Sequence, residues 1–262
     1  MTAMAHPLFD IDGKLAVVTG SSRGIGFALA RGLLQAGTSV VLNGRGAAAL
    51  AVAAAELAAE DPAWAGRVHP VPFDVTGEAA VTEAVRLIER DIGPIDILVS
   101  NAGTQLRGTI TDYPLTAWND LVATNLTSAF LVGREVARHM VPRGRGKIIN
   151  IASLQSEASR PGIAPYAATK GGIKMLTKGM CADLAGHGIQ VNAIGPGYFV
   201  TDLNASLKED AAFDAWLTRR TPAGRWGQPH ELVGTLLYLA SPASDFVNGQ
   251  TIYVDGGVLA VL

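Results

Sequence analysis

The chain has little that would commit it to an extracellular, metal-dependent or nucleic-acid-bound life. It holds one cysteine, Cys181, which excludes an internal disulfide and suits a reducing compartment. On an apolar-periodic segment that thiol reads as a small packing residue rather than a nucleophile. No apolar run reaches the roughly 18–20 residues needed to cross a bilayer. The opening stretch MTAMAHPLFDIDGK lacks a basic region followed by a long apolar block, so no export leader is expected and a cytoplasmic location is. Neither charge dominates: 21 Lys and Arg face 23 Asp and Glu, a net charge of −2, which carries no footprint of a nucleic-acid or membrane-surface partner. The five histidines, His6, His69, His139, His187 and His230, share no ligand spacing, so no metal site is expected.

What is present is an ordinary globular composition, 48% hydrophobic, with strands and helices in alternation. LAVVT (15–19), SVVL (39–42), VHPVPFDV (68–75), IDILVS (95–100), KIINIAS (147–153), IQVNAIG (189–195) and TIYVDGG (251–257) read as strands. They are continuous apolar runs, as expected of strands buried on both faces. Helical stretches separate them: one ending near Gly37, the Ala-rich AAALAVAAAELAAE, one over 78–91, and longer ones around 115–140 and 166–185. This alternation predicts an α/β fold, a Rossmann-type doubly wound parallel sheet of about seven strands with helices on both faces. No linker or repeat divides the chain, so 1–262 reads as one domain. The least regular region, 196–228, reads as a lid or insertion beside the site. In such sheets ligands bind beyond the carboxyl ends of the strands, where the winding reverses.

The chemistry-bearing residues follow those strand ends. After the first strand comes TGSSRGIG, which sets Gly20, Gly24 and Gly26 before a helix. Glycines there permit a tight turn and let a pyrophosphate approach the helix N-terminus. The spacing is Gly-x-x-x-Gly-x-Gly, not the Gly-x-Gly-x-x-Gly of the standard dinucleotide fingerprint. Tyr166 and Lys170 stand four residues apart at the start of a helical segment. That spacing also arises wherever a Tyr/Lys pair merely covers a helix flank.

Eight pieces in order decide between those readings: TGSSRGIG, DVT (74–76), SNAG (100–103), Asn125 in TNLTSAF, Ser153 in NIAS, YAATK, GPG (195–197) and NGQTIYVDGG. Over nearly its whole length the chain resembles the short-chain dehydrogenase/reductase family. One departure is Ser100, where NNAG is commoner. The resemblance implies that Tyr166 transfers a proton while a hydride moves to or from a nicotinamide. Lys170 would lower the phenol's pKa and hold the nicotinamide ribose, Ser153 would hydrogen-bond the substrate oxygen, and Asn125 would hold a helix bend and a water leading to Lys170. It also implies dinucleotide contacts from Gly20, Ser22, Arg23, Gly24, Ile25, Gly26, Gly44, Arg45, Asp74, Val75, Asn101, Ala102, Gly103, Tyr166, Lys170, Pro196, Gly197 and Thr201. A homotetramer is expected, paired through the helices around 115–140 and 166–185.

For the cofactor, NAD enzymes place an acid after the second strand to grip the ribose 2′-hydroxyl. Here VVLNGRG puts Gly44 at that position with Arg45 next, and Arg23 lies in the glycine loop. Two guanidiniums suit a 2′-phosphate, so NADP is expected, with NAD the alternative. For the substrate, LNGR, ERDIGPIDILVSNAG, ARHMVPRGRGKIINI, LQSEASRPGIAPY and RTPAGRWGQPHELVG resemble the gluconate 5-dehydrogenase group of that family. That implies reversible oxidation of D-gluconate to 5-keto-D-gluconate. A sugar-acid carboxylate needs a cation: Arg107 is the first candidate and Arg160 the second, with Gln155 and Tyr198 near the substrate hydroxyls and Ser153 and Tyr166 at the reacting oxygen. A 3-oxoacyl thioester or broad carbonyl reductase, and a non-catalytic NADP-sensing protein, are the remaining alternatives.

Overall fold

The computed structural model describes residues 6–261. Residues 1–5, part of the stretch read above for a leader, lie outside the described residues, as does residue 262. Seven parallel strands form one sheet: β1 (Leu15–Val18), β2 (Ser39–Gly44), β3 (Val68–Pro72), β4 (Ile97–Ser100), β5 (Gly146–Ile151), β6 (Ile189–Pro196) and β7 (Thr251–Val254). Their order is β3-β2-β1-β4-β5-β6-β7, so the winding reverses between β1 and β4. The register there pairs Ala16 with Ile97 and Val18 with Val99.

The continuous apolar runs are explained by helices on both faces. Ala16 and Val18 of β1 point into a core shared with Leu29 and Leu33 of α1 (Gly24–Gln35), Leu50 and Leu57 of α2 (Ala47–Glu60) and Leu236 and Leu239 of α9 (Val233–Ala240). Val17 points the other way, toward Val81, Val85 and Ile88 of α3 (Glu78–Asp91) and Val132, Val136 and Met140 of α5 (Ser128–Arg143). Each fully buried Leu, Ile or Val contributes about 1.5–3 kcal/mol to this sandwich. Between β6 and β7, α7 (Ala205–Glu209) and α8 (Ala211–Arg220) occupy the region read as irregular, so it carries two helices.

The helix expected over 115–140 is broken. It comprises α4 (Leu115–Val122), a π-helical segment at Ala123–Thr127 and then α5. Asn125 sits inside that π segment and is buried. The expected helix bend is therefore a π-bulge, a feature common at functional sites. The last long helix, α6 (Ala164–Leu184), starts just ahead of Tyr166 and runs through Lys170. Its Cys181 packs beside the second core. No helix of the described residues is long and apolar enough to cross a membrane.

Candidate active site

A cleft of about 1300 Å³ opens along the carboxyl ends of the strands, across the β1/β4 reversal. Every site residue expected from the sequence lines it except Asn125 and Arg107.

The dinucleotide end is built by backbone. Gly20 and Gly24 have φ of 63° and 60°, the left-handed region that glycine alone enters without strain. Gly26 is required for packing: a Cβ there would lie 2.4 Å from the Gly20 carbonyl oxygen and 2.5 Å from the Asn101 amide nitrogen. Asn101 ties this turn to β4, its Nδ2 donating to Thr19 O at 2.9 Å and Gly20 O at 3.0 Å. Thr19 Oγ1 accepts in return from the backbone N–H groups of Asn101 and Ala102. The loop thus leads directly into α1, whose first turn contains no acidic residue to compete with a bound anion. These residues fit a dinucleotide pyrophosphate. Gly26→Ala is expected to weaken NADP(H) binding at least about tenfold, because the turn and Asn101 must both shift; NADPH fluorescence titration checks it.

Sequence reading missed Asn43, the one polar residue in the VVLNG run. It is buried, receives the Gly20 N–H on Oδ1 at 3.4 Å and donates to Phe73 O at 3.0 Å, so it couples the glycine turn to the β3 end. Beyond it, a Cβ added at Gly44 would meet only ordinary van der Waals contacts, Leu50 at 3.6 Å and Ser22 at 3.8 Å. Arg45 and Arg23 are both exposed at this end, Arg23 lying 4.0 Å from Asp202 of the 196–228 segment. Asp74 is held below the ordinary carboxylate range first by the Thr76 backbone N–H, then by the Thr76 hydroxyl, with Arg45 a smaller contributor.

The reacting end gathers Ser153, Tyr166 and Lys170. Ser153 lies just past β5, 95% buried, its hydroxyl donating to Gln155 Oε1 at 2.8 Å. Lys170 is likewise 95% buried and donates from Nζ to Ile151 O at 2.7 Å, with Nζ 5.8 Å from the centre of the Tyr166 ring. Burial pushes the Tyr166 phenol up to about 12, against a smaller downward pull from the Ser153 hydroxyl. Burial brings the Lys170 ammonium down to about 8. Desolvation thus displaces both groups toward their neutral forms. Asn125 is occupied locally. It accepts from Thr104 N–H at 2.8 Å and donates to Thr104 O at 2.9 Å and Thr169 Oγ1 at 3.3 Å, so it fixes the post-β4 loop against α6.

The two candidate arginines occupy different places. Arg160 lines the cleft, whereas Arg107 reaches the 196–228 segment, donating to Ser206 Oγ at 3.3 Å and Leu203 O at 3.4 Å. Burial, and then the neighbouring charge of Arg160, press the Arg107 guanidinium below its ordinary pKa.

A half-buried tyrosine and a buried lysine one helical turn apart, beside a strand-end serine and a glycine-rich dinucleotide turn at the winding reversal, define a hydride-transferring oxidoreductase of the Rossmann type. Residues 20–259 match the family described as enoyl-(acyl carrier protein) reductase, and the chain belongs to the short-chain dehydrogenase/reductase family. It is 54% identical to gluconate 5-dehydrogenase of Gluconobacter oxydans over 99% of this chain and 100% of that one. It is 51% identical to 5-keto-D-gluconate 5-reductase of Escherichia coli over 98% and 100% of the two chains. Its fold superposes with a TM-score of 0.94 on a gluconate 5-dehydrogenase from Burkholderia cenocepacia in complex with NADP and tartrate, at 52% identity, over 98% and 99% of the two chains.

Proposed function

We propose that this enzyme interconverts D-gluconate and 5-keto-D-gluconate with NADP(H). The carrying observation is that a single cleft joins the dinucleotide turn, the Ser153/Tyr166/Lys170 group and a cleft-facing arginine, Arg160. The names of the two relatives, at 54% and 51% identity along the full chain, support gluconate as the substrate. NADP as cofactor is supported by the relative solved with it and by Arg23 and Arg45 at the ribose end, where Gly44 leaves no acid. When bound, the cofactor supplies or accepts the hydride. Tyr166 carries the proton to or from the substrate oxygen, and Ser153 turns its hydroxyl from Gln155 to that same oxygen. Lys170 holds its charge against the phenol and the ribose side of the cleft, and Asn125 keeps the post-β4 loop in register. The segment 196–228 acts as the lid of a single domain, and the chain works in the cytoplasm. Pairing through α4–α5 and α6 gives a homotetramer, in keeping with the exposed Phe130 and Met175 on those helices.

Absorbance of NADPH during incubation with D-gluconate, and separately with 5-keto-D-gluconate, tests this reading; inertness of both overturns it. Cofactor choice has its own test. Gly44→Asp is expected to reverse the preference, lowering kcat/KM for NADP by about ten- to a hundredfold relative to NAD. A Cβ at Gly44 meets only ordinary contacts, and the backbone there has no left-handed φ, so the change is expected to report charge. Equal efficiency with both cofactors in the unmodified enzyme contradicts the electrostatic argument.

A further inference from the structure

Ser153 caps one end of a short helical turn, Leu154–Ser156, and Glu157 caps the other. The turn orients the serine. Its Gln155 backbone N–H donates to Ser153 Oγ at 3.1 Å, leaving the hydroxyl proton free to be directed at an acceptor. The far end of the turn is bonded twice to the helix that carries Tyr166 and Lys170. Ser156 Oγ donates to Lys170 O at 2.8 Å, and the Glu157 carboxylate pairs with Lys174 Nζ, one turn further along α6. Glu157 Oε1 also accepts from the Tyr253 hydroxyl of β7 at 2.7 Å. Tyr253 reaches it because its register partner on β6 is Gly195, where a Cβ would stand 2.4 Å from the Tyr253 ring. Lys174 first and Tyr253 second hold the Glu157 carboxyl below its ordinary range, so it is ionised at neutral pH.

Glu157, Lys174 and Tyr253 stand outside the cleft. A pair as exposed as this, with 38% of the Glu157 side chain and 25% of the Lys174 side chain open to solvent, contributes little to stability. Its contribution is geometric, because it joins α6, β7 and the turn after β5 at the segment that links the serine to the Tyr166/Lys170 helix. We propose that Glu157 is a positioning residue for Ser153: clamped by Lys174 and Tyr253, it fixes the turn that aims the serine hydroxyl at the substrate oxygen beside Tyr166. The inference rests on the reading of Ser153 given above and deepens it. The position calls for an acid, because an ammonium and a phenol converge on one carboxylate oxygen, and a charged acceptor holds both more strongly than an amide does. Without the clamp the turn keeps its β5 end, where Ala152 N–H donates to Ile194 O at 2.8 Å, but its side-chain hold on α6 falls to the single Ser156 bond. The Gln155 N–H then no longer keeps Ser153 Oγ in one place, and small misplacements of a group at the reacting centre are costly in rate.

The test is a double-mutant cycle on 5-keto-D-gluconate reduction, with Glu157→Ala, Ser153→Ala and the two combined. Glu157→Ala is expected to lower kcat about tenfold, with NADPH affinity within about threefold and the unfolding temperature within about 4 °C of the wild type. In the Ser153→Ala background the same change should lower kcat less than about twofold, because the hydroxyl it aims is gone. Glu157→Gln should recover part of the loss. Tyr253→Phe and Lys174→Met each remove one donor and should show smaller losses that likewise vanish without Ser153. Glu83→Ala deletes an exposed ion pair to Arg86 on α3 and should leave kcat unchanged. Losses that multiply in the double variant overturn the positioning role and make Glu157 a general prop, and so does a wild-type kcat in Glu157→Ala. A wild-type kcat in Ser153→Ala overturns the reading of the serine and this inference with it. Inertness of the wild type toward both gluconate and 5-ketogluconate overturns the functional reading itself, a result separate from multiplying losses in an active enzyme.

Discussion

Tyr166→Phe is expected to lower kcat by about 10²–10⁴-fold while leaving NADPH affinity within about threefold of the wild type. The substitution removes one hydroxyl and keeps the ring, so packing at the start of α6 is preserved and the loss reports proton transfer. Single-turnover absorbance and NADPH fluorescence titration separate the two effects. A variant with near-normal kcat removes Tyr166 from the chemistry. The phenol also dictates the pH dependence. In the oxidising direction its phenolate is the base, and with burial holding the group at about 12, the phenolate fraction grows about tenfold per pH unit across the neutral and mildly alkaline range. Gluconate oxidation should therefore climb with pH. Reduction of 5-ketogluconate draws on the protonated phenol, already complete at neutral pH, and should be flat there. An oxidation rate independent of pH between 7 and 9 would falsify the assignment of Tyr166 as base.

All seven strands were legible because burial on both faces leaves an uninterrupted apolar run, and no other local pattern competes with that signal. Their ends were less so. VHPVPFDV suggests a strand to Val75, yet β3 stops at Pro72, because Asp74 turns the chain by bonding to Thr76. The Tyr166/Lys170 pairing needed nothing but helical spacing, but the direction of the phenol's shift did not follow from it. That direction depends on how completely the Ser153 strand end and α6 exclude water, which is a property of packing. The bend at Asn125 was expected from the family resemblance alone, because the partners of its amide, Thr104 and Thr169, are brought together by α6 and the post-β4 loop only in three dimensions. Loop position alone placed Arg107 ahead of Arg160 as the carboxylate candidate. What separates them is the adjacency of β5 and β6, which sets Gln155 and Arg160 against Tyr198, 43 and 38 residues away in sequence.

Lys170→Met is expected to abolish most activity and at the same time raise the stability of the fold. Lys170 is buried, and burial brings its ammonium from an ordinary 10.5 down to about 8, so the charged form costs the native state roughly 3 kcal/mol at neutral pH. Losing the bond to Ile151 O offsets about 1 kcal/mol of the gain. The remaining ~2 kcal/mol corresponds to a Tm about 5 °C higher. The sign with pH follows from proton counts. Below about pH 8 the lysine is charged both folded and unfolded, and the native state bears the full cost of burying it. Between about 8 and 10.5 the unfolded chain holds more protons, so wild-type stability from this group rises with pH. The variant's advantage should therefore be largest below pH 8 and shrink as pH passes through that window. Comparing the two proteins at each pH cancels every other titrating group. Activity moves the opposite way, because the ammonium that destabilises the fold is the one that steadies the Tyr166 phenolate and the ribose side of the cofactor, so KM for NADP should rise as kcat falls. Thermal unfolding of both proteins from pH 6 to 10, with kinetics on the same preparations, measures both sides. An unfolding temperature that drops by several degrees at neutral pH would show Lys170 to be a structural prop, its bond to Ile151 outweighing the buried charge.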